Sequence, residues 1–184
     1  MQIKYSCSYW GNDLYAPKAF VDKVHQSGYD GVELFLQPPD KVSVEFMDSI
    51  AVIRKENPDF YLIALQLTVP VKESVDRYIQ RMEDSLESLS ALDPLFINSH
   101  TGKDHYSFDD NCRVIEAALN FSQKKSVRIL HETHRGRFSF HTSTLQRYLK
   151  KFPELELVGD FSHFCTVSES MHSPCSPFTC TGWV

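Results

Sequence analysis

Glu132 and Asp160 carry the chemistry this sequence can do. They lie 28 residues apart (160 minus 132), the length of one strand–helix repeat in this chain. On adjacent parallel strands their carboxylates converge on one rim, where two negative charges repel unless a cation or a shared proton lies between them. A divalent cation is the economical solution. Oxygen donors with an imidazole close by suit Mn²⁺, Mg²⁺, Co²⁺ or Zn²⁺. The plain alternative is that each is a loop carboxylate or a helix cap.

His163 follows Asp160 at D-x-x-H spacing, and His100 closes an earlier apolar run. Each is a candidate ligand or a donor to substrate oxygens; a rim histidine with no further role is the simpler reading of either. His131 immediately precedes Glu132, so it should face the other way, toward helices, as a structural residue. Arg135 and Arg137 flank Gly136. A guanidinium fork binds phosphate or carboxylate through two parallel hydrogen bonds. The pair is therefore a candidate anion site, weighed against an ordinary surface salt bridge. Lys103 is a weaker anion candidate. Trp10, with Tyr9 and Phe35, could wall a sugar-sized pocket or simply belong to the core.

The elements that must position these residues are legible. Short apolar runs begin near residues 3, 30, 60, 95, 127 and 155, at "IKYSCSYW", "DGVELFL", "FYLIALQLTV", "LFINSH", "VRILHET" and "LELVGDF". They are almost continuously apolar, as strands covered on both faces are. Four of the five intervals carry helical periodicity. The clearest is "SVDRYIQRMEDSLESLSAL", with Val75, Ile79, Met82, Leu86 and Leu89 at spacings of four and three. "FDDNCRVIEAALNFSQKK", "TSTLQRYLKKF" and "SVEFMDSIAVIRKE" are the others, the last with Ser43 as its expected cap. Alternating strands and helices mean parallel βα units. An open doubly wound sheet concentrates its site at one switch point. Here almost every strand ends in polar residues, which favours a barrel mouth. No G-x-G-x-x-G follows any strand, so a dinucleotide site has no support.

Composition bounds the rest. The chain has 184 residues, 42% hydrophobic and 23% charged, enough for one sizeable core. A formal net charge of −5 argues against a generic nucleic-acid partner. No run of eighteen apolar residues suggests a membrane span, and the first residues lack a signal-peptide core. Five cysteines, odd in number and mostly far apart, fit a reduced cytoplasmic protein.

The segments "SGYDGVEL", "FINSHTGKDHYSFDD", "ILHETHRGR" and "LVGDFSHFCTVSES" together resemble the sugar phosphate isomerase/epimerase group. Its members have the xylose isomerase-like TIM-barrel fold, shared with endonuclease IV. The resemblance implies an α/β fold, a partial (β/α) TIM-type barrel of about six parallel βα units, open at its C-terminal side. In that family the metal is held by a Glu after strand five, an Asp after strand six, a His after strand seven and a Glu after strand eight. Glu132 and Asp160 match the first two. His163 matches a histidine that contacts substrate, and His100 a pocket-lining position. The implied chemistry is aldose–ketose isomerisation or epimerisation of a sugar or sugar phosphate. A proton moves next to a metal-polarised carbonyl through an enediolate-like state. Glu132 would be ligand and acid/base at once, His163 would share the catalytic role, and Arg135, Arg137 or Lys103 would neutralise an anionic group.

The resemblance covers 1–171, the expected incomplete barrel domain. The stretch 172–184, "HSPCSPFTCTGWV", is expected to be an irregular tail, because it has no strand or helix period. His172, Cys175 and Cys180 in it do not form a standard zinc spacing. No counterpart of the seventh-strand His or eighth-strand Glu is present, so weak or absent turnover is expected. Two other readings follow. One is a metal phosphodiesterase similar to endonuclease IV. The other is a non-catalytic remnant that pairs an open sheet edge with a second copy of itself.

Overall fold

The structure, a computed structural model, describes residues 3–67 and 71–169. Strand and helix alternate: β1 Ser6–Ser8, α1 Pro17–Gln26, β2 Gly31–Phe35, α2 Lys41–Glu56, β3 Tyr61–Gln66, α3 Val75–Ser90, β4 Phe96–Ser99, α4 Phe108–Lys125, β5 Ile129–Glu132, α5 Thr142–Lys151, β6 Leu157–Val158 and α6 Phe161–Ser168. The six strands are parallel and ordered β1-β2-β3-β4-β5-β6 in one sheet. Strands adjacent in sequence are thus adjacent in the sheet. That is the order a (β/α) barrel requires, whereas a doubly wound sheet reverses at its switch point. No helix among the described residues is long and apolar enough to cross a membrane.

The chain forms two compact units. Among the described residues the first is 3–66 with 84–97, the second 67 and 71–83 with 98–169. In the first, β2 runs beside β3 with Gly31 opposite Tyr61. A Cβ on Gly31 would fall 2.4 Å from the Tyr61 ring, so a side chain there would force the strands apart. Val32, Leu34, Leu62 and Ala64 of the strands are buried, as are Phe20, Val21, Phe46 and Ile50 of α1 and α2. Tyr9 packs edge-on against Phe20 and Phe46, each at 4.9 Å between ring centroids, so it belongs to the core rather than to a sugar-binding wall. In the second unit Cys112, Ile115, Phe138, Leu145, Tyr148, Phe152, Leu155, Leu157 and Phe164 form one apolar cluster. It fixes α4, α5 and α6 around β6 and supports the loops that carry the candidate site.

Three local features differ from the expectation. The interval between the first two strands holds α1, short and opened by Pro17 at its first turn, where a missing N–H costs nothing. Helix α2 is capped by Asp40, not Ser43. Asp40 Oδ1 accepts from the Val42 and Ser43 amides at 2.9 and 3.0 Å, while the buried Ser43 hydroxyl donates to Asp40 Oδ2 at 2.6 Å. A carboxylate three residues upstream satisfies two orphan amides at once, which the hydroxyl cannot. Finally, "FSHFCTVS", in which no helical periodicity stood out, forms α6. The expected tail, 172–184, lies outside the described residues.

Candidate functional site

Strand register explains why the two carboxylates meet. In the β5–β6 pair Glu132 lies opposite Val158. Side chains alternate along extended backbone, so Asp160, two residues on, returns to the face of Val158 and Glu132. Thr133 locks this arrangement. Its amide donates to the Val158 carbonyl at 2.9 Å, and its hydroxyl accepts from the Asp160 amide at 2.8 Å.

The same alternation selects the partners from β4. Asn98 and His100, two residues apart, both reach Glu132 Oε2: Asn98 Nδ2 donates at 2.7 Å and His100 Nε2 at 3.1 Å. Burial pushes the Glu132 carboxyl up, but the hydrogen bonds and charges of His100, with Asn98 and His134, prevail and hold it below its ordinary value. It is a carboxylate at neutral pH. Residues of the other parity face away. His131 is buried, with Nδ1 2.7 Å from Thr101 Oγ1 and that hydroxyl 2.8 Å from Ser99 Oγ; its ring meets Phe138 edge-on. Burial lowers its pKa to about 4. The structure thus places His131 as a neutral structural histidine.

Asp160 has two roles. Its Oδ1 accepts from the amide and hydroxyl of Ser162 at 2.8 and 2.6 Å, capping α6, and its Oδ2 lies 3.6 Å from His163 Nε2. Burial raises the Asp160 carboxyl, and the Ser162 hydrogen bonds with the His163 charge bring it net below the ordinary value. His163 sits in the first turn of α6, on the side the cap presents to Glu132.

His134, one of the polar residues that end the fifth apolar run but given no site role from sequence, joins the group. Its ring lies between those of His100 and His163, with centroids 4.3 and 3.8 Å away. Its Nδ1 donates to the Arg135 carbonyl; because a carbonyl only accepts, this assigns the proton to Nδ1 and leaves the lone pair on Nε2. Burial, aided by the charges of His100 and His163, lowers its pKa to about 4, so the ring is neutral near pH 7. The spacing of two from Glu132, matching that of Asn98 from His100, was the signal that could have given these two strand-end residues a place in the site.

Among the described residues, two sets of three donors come within 4.8 Å of one another: Glu132, Asp160 and His163, and His100, Glu132 and His134. Carboxylate oxygens with imidazole nitrogens, all partly buried, are a donor set that fits a divalent cation. The first set contains both carboxylates proposed from sequence.

The remaining candidates separate. Arg137 is half-buried, and Lys103 is 6% exposed; the Asp104 amide donates to the Gly136 carbonyl at 3.3 Å and ties their two loops together. Arg135 is exposed. Trp10 belongs to the first unit and is 89% exposed.

No protein-family model matches the sequence, and no curated protein does. Solved structures do resemble the fold. A xylose isomerase domain containing protein from Salmonella typhimurium LT2 superposes with a TM-score of 0.75 at 12% identity, over 100% of this chain and 71% of that one. The probable 3-DHS dehydratase AsbF, involved in petrobactin synthesis in Bacillus anthracis, gives 0.64 at 17%, over 90% and 66%. The IolI protein, solved with a binding zinc atom, gives 0.59 at 13%, over 88% and 64%. The chain spans 66% and 64% of the length of the latter two. With six parallel strands in sequential order, the chain has the fold of a partial xylose isomerase-like TIM barrel.

Proposed function

We propose that this chain carries the metal site of a sugar or sugar phosphate isomerase or epimerase, held by Glu132, Asp160 and His163. One observation carries the reading: the donor atoms of these three residues lie within 4.8 Å of one another, although they come from two successive βα units. The zinc in IolI, a protein of similar fold, supports a metal in such a barrel. When bound, a divalent cation would polarise a carbonyl and its neighbouring hydroxyl. Glu132, kept ionised and oriented through Oε2 by Asn98 and His100, then takes the proton from the adjacent carbon and returns it. His163, close to Asp160, hydrogen-bonds a substrate oxygen. The partner is a small polyhydroxy molecule.

The test is metal content and turnover of the full chain. Purified protein should hold a divalent ion that Glu132→Gln and Asp160→Asn each remove, and it should convert at least one of a panel of ketoses and ketose phosphates with added Mn²⁺. Metal-free protein that gains no ion from millimolar Mn²⁺ or Zn²⁺ refutes the reading.

A second reading, a metal phosphodiesterase similar to endonuclease IV, is favoured by one observation. Glu132 belongs to both donor sets, so two cations could share it, as two-metal phosphate chemistry requires. The net charge of −5 weighs against a nucleic-acid substrate. One equivalent of bound metal supports isomerase chemistry; two equivalents with cleavage of a phosphodiester support this alternative.

A further inference from the structure

We infer that Thr133 is a positioning residue of the candidate metal site: its buried hydroxyl fixes the backbone of Asp160 against that of Glu132 and so sets where the two carboxylates stand. The inference deepens the proposed function and rests on it for the ion.

Parallel strands are joined by evenly spaced, slanted backbone bonds. The Thr133 amide makes one of these, donating to the Val158 carbonyl at 2.9 Å. Continuing the ladder, the Asp160 amide would donate to the Thr133 carbonyl. It donates instead to the Thr133 hydroxyl, at 2.8 Å, and the same hydroxyl donates to the Asp160 carbonyl at 3.1 Å. A hydroxyl has one proton to give, and Thr133 gives it to Asp160. A side chain in place of a carbonyl lets the main chain leave β6 at once. Asp160, at φ −90° and ψ 95°, caps α6 while it stays tied to the end of β5.

The residues on either side of Thr133 are held by Ser139. The fully buried Ser139 donates its hydroxyl to the Glu132 carbonyl at 2.6 Å and accepts from the His134 amide at 3.3 Å. Thr133 is itself fully buried and β-branched, so its χ1 is stiff and its hydroxyl has little freedom. A short path then joins the two carboxylate-bearing residues: from Glu132 through one peptide bond to Thr133, and across its hydroxyl to the Asp160 backbone.

The carboxylates cannot easily compensate for a backbone shift. Asn98 and His100 engage Glu132 Oε2, and Ser162 engages Asp160 Oδ1 through both its amide and its hydroxyl. Rotating either side chain to follow a displaced main chain breaks those bonds. A metal-binding constellation has to be held within about 0.5 Å of its working geometry. The site therefore depends on a hydroxyl that bonds to backbone and supplies no ligand atom of its own.

The test is titration of Co²⁺ into the metal-stripped full chain, followed by affinity and by the visible ligand-field spectrum. Groups that orient metal ligands carry roughly 10- to 100-fold in affinity. Thr133→Val should weaken Co²⁺ at least tenfold and alter the spectrum, and Thr133→Ser, which keeps the hydroxyl, should restore both to within threefold of the parent. Thr101→Val makes the same exchange at another buried threonine, whose hydroxyl meets His131. It should lower the urea midpoint yet leave Co²⁺ affinity within twofold and the spectrum unchanged. Thr133→Ala compared with Thr133→Ser keeps the test decisive if Thr133→Val fails to fold, because the pair differs by the hydroxyl alone; the alanine variant should bind at least tenfold more weakly. Parental affinity in Thr133→Val or Thr133→Ala, no recovery in Thr133→Ser, or an equal loss in Thr101→Val each overturns the inference while the metal reading stands. A parent chain that takes up no Co²⁺ overturns the metal reading and the positioning role together.

Discussion

His100 donates its Nε2 proton to Glu132 Oε2 at 3.1 Å, across the gap between the ends of β4 and β5. With Asn98 on the same oxygen at 2.7 Å, this fixes which face of the carboxylate is engaged by protein and leaves Oε1 for other partners. Groups that orient a ligand in this way typically contribute 10- to 100-fold in metal affinity. Asn98→Ala should therefore weaken divalent-metal binding by about that factor with an unchanged far-ultraviolet circular dichroism spectrum. Affinity within twofold of the parent contradicts this role.

Asp160 is helix cap and candidate ligand together, and the roles can be separated. Serine caps helices about as well as aspartate. Asp160→Ser should keep stability within about 0.5 kcal/mol of the parent yet abolish metal binding, whereas Asp160→Ala should lose metal and about 1 kcal/mol of stability. Urea denaturation beside metal titration distinguishes them. If Asp160→Ser retains metal, the carboxylate serves only as a cap.

Lys103 makes stability depend on alkaline pH. Its folded pKa of about 8 lies below the ordinary value of 10.5, so between those values the unfolded chain binds more protons and stability rises with pH. Below about 8 the buried charge is a constant penalty. The melting temperature should climb from pH 8 to 10, and Lys103→Met should flatten that climb.

His131 acts at the acid end. It is neutral and buried, with a folded pKa of about 4 against 6.5 when unfolded. Between those values the unfolded chain again binds more protons, so its contribution is present above pH 6.5 and is lost as pH falls toward 4. His131→Leu keeps the volume but removes the titration. It should cost about 1–3 kcal/mol at pH 7 by leaving Thr101 Oγ1 without its nitrogen partner, with a shallower loss between pH 6.5 and 4 in equilibrium unfolding.

Much of this was legible in the sequence for a physical reason. Strands covered on both faces must be apolar throughout, so all six announced themselves, and their observed starts at 6, 31, 61, 96, 129 and 157 follow the apolar runs closely. The long helices α3 and α4 repeat apolar residues over four turns or more. α1 and α6 did not stand out: one spans 10 residues and the other 8, and α6 is specified mainly by the Asp160 cap. The pairing of Glu132 with Asp160 was readable because both close neighbouring strands.

What the amino-acid sequence determined by itself was therefore the repeat, the strand ends and the two carboxylates, since each depends on local pattern and separation along the chain. Only the tertiary structure decided which neighbours those carboxylates have. Register and alternation brought Asn98, His100 and His134 to the Glu132 face and sent His131 inward. Loop packing buried Lys103 and left Arg135 and Trp10 in water. Such choices depend on through-space distance and desolvation, and neither is written in the spacing of residues along a chain.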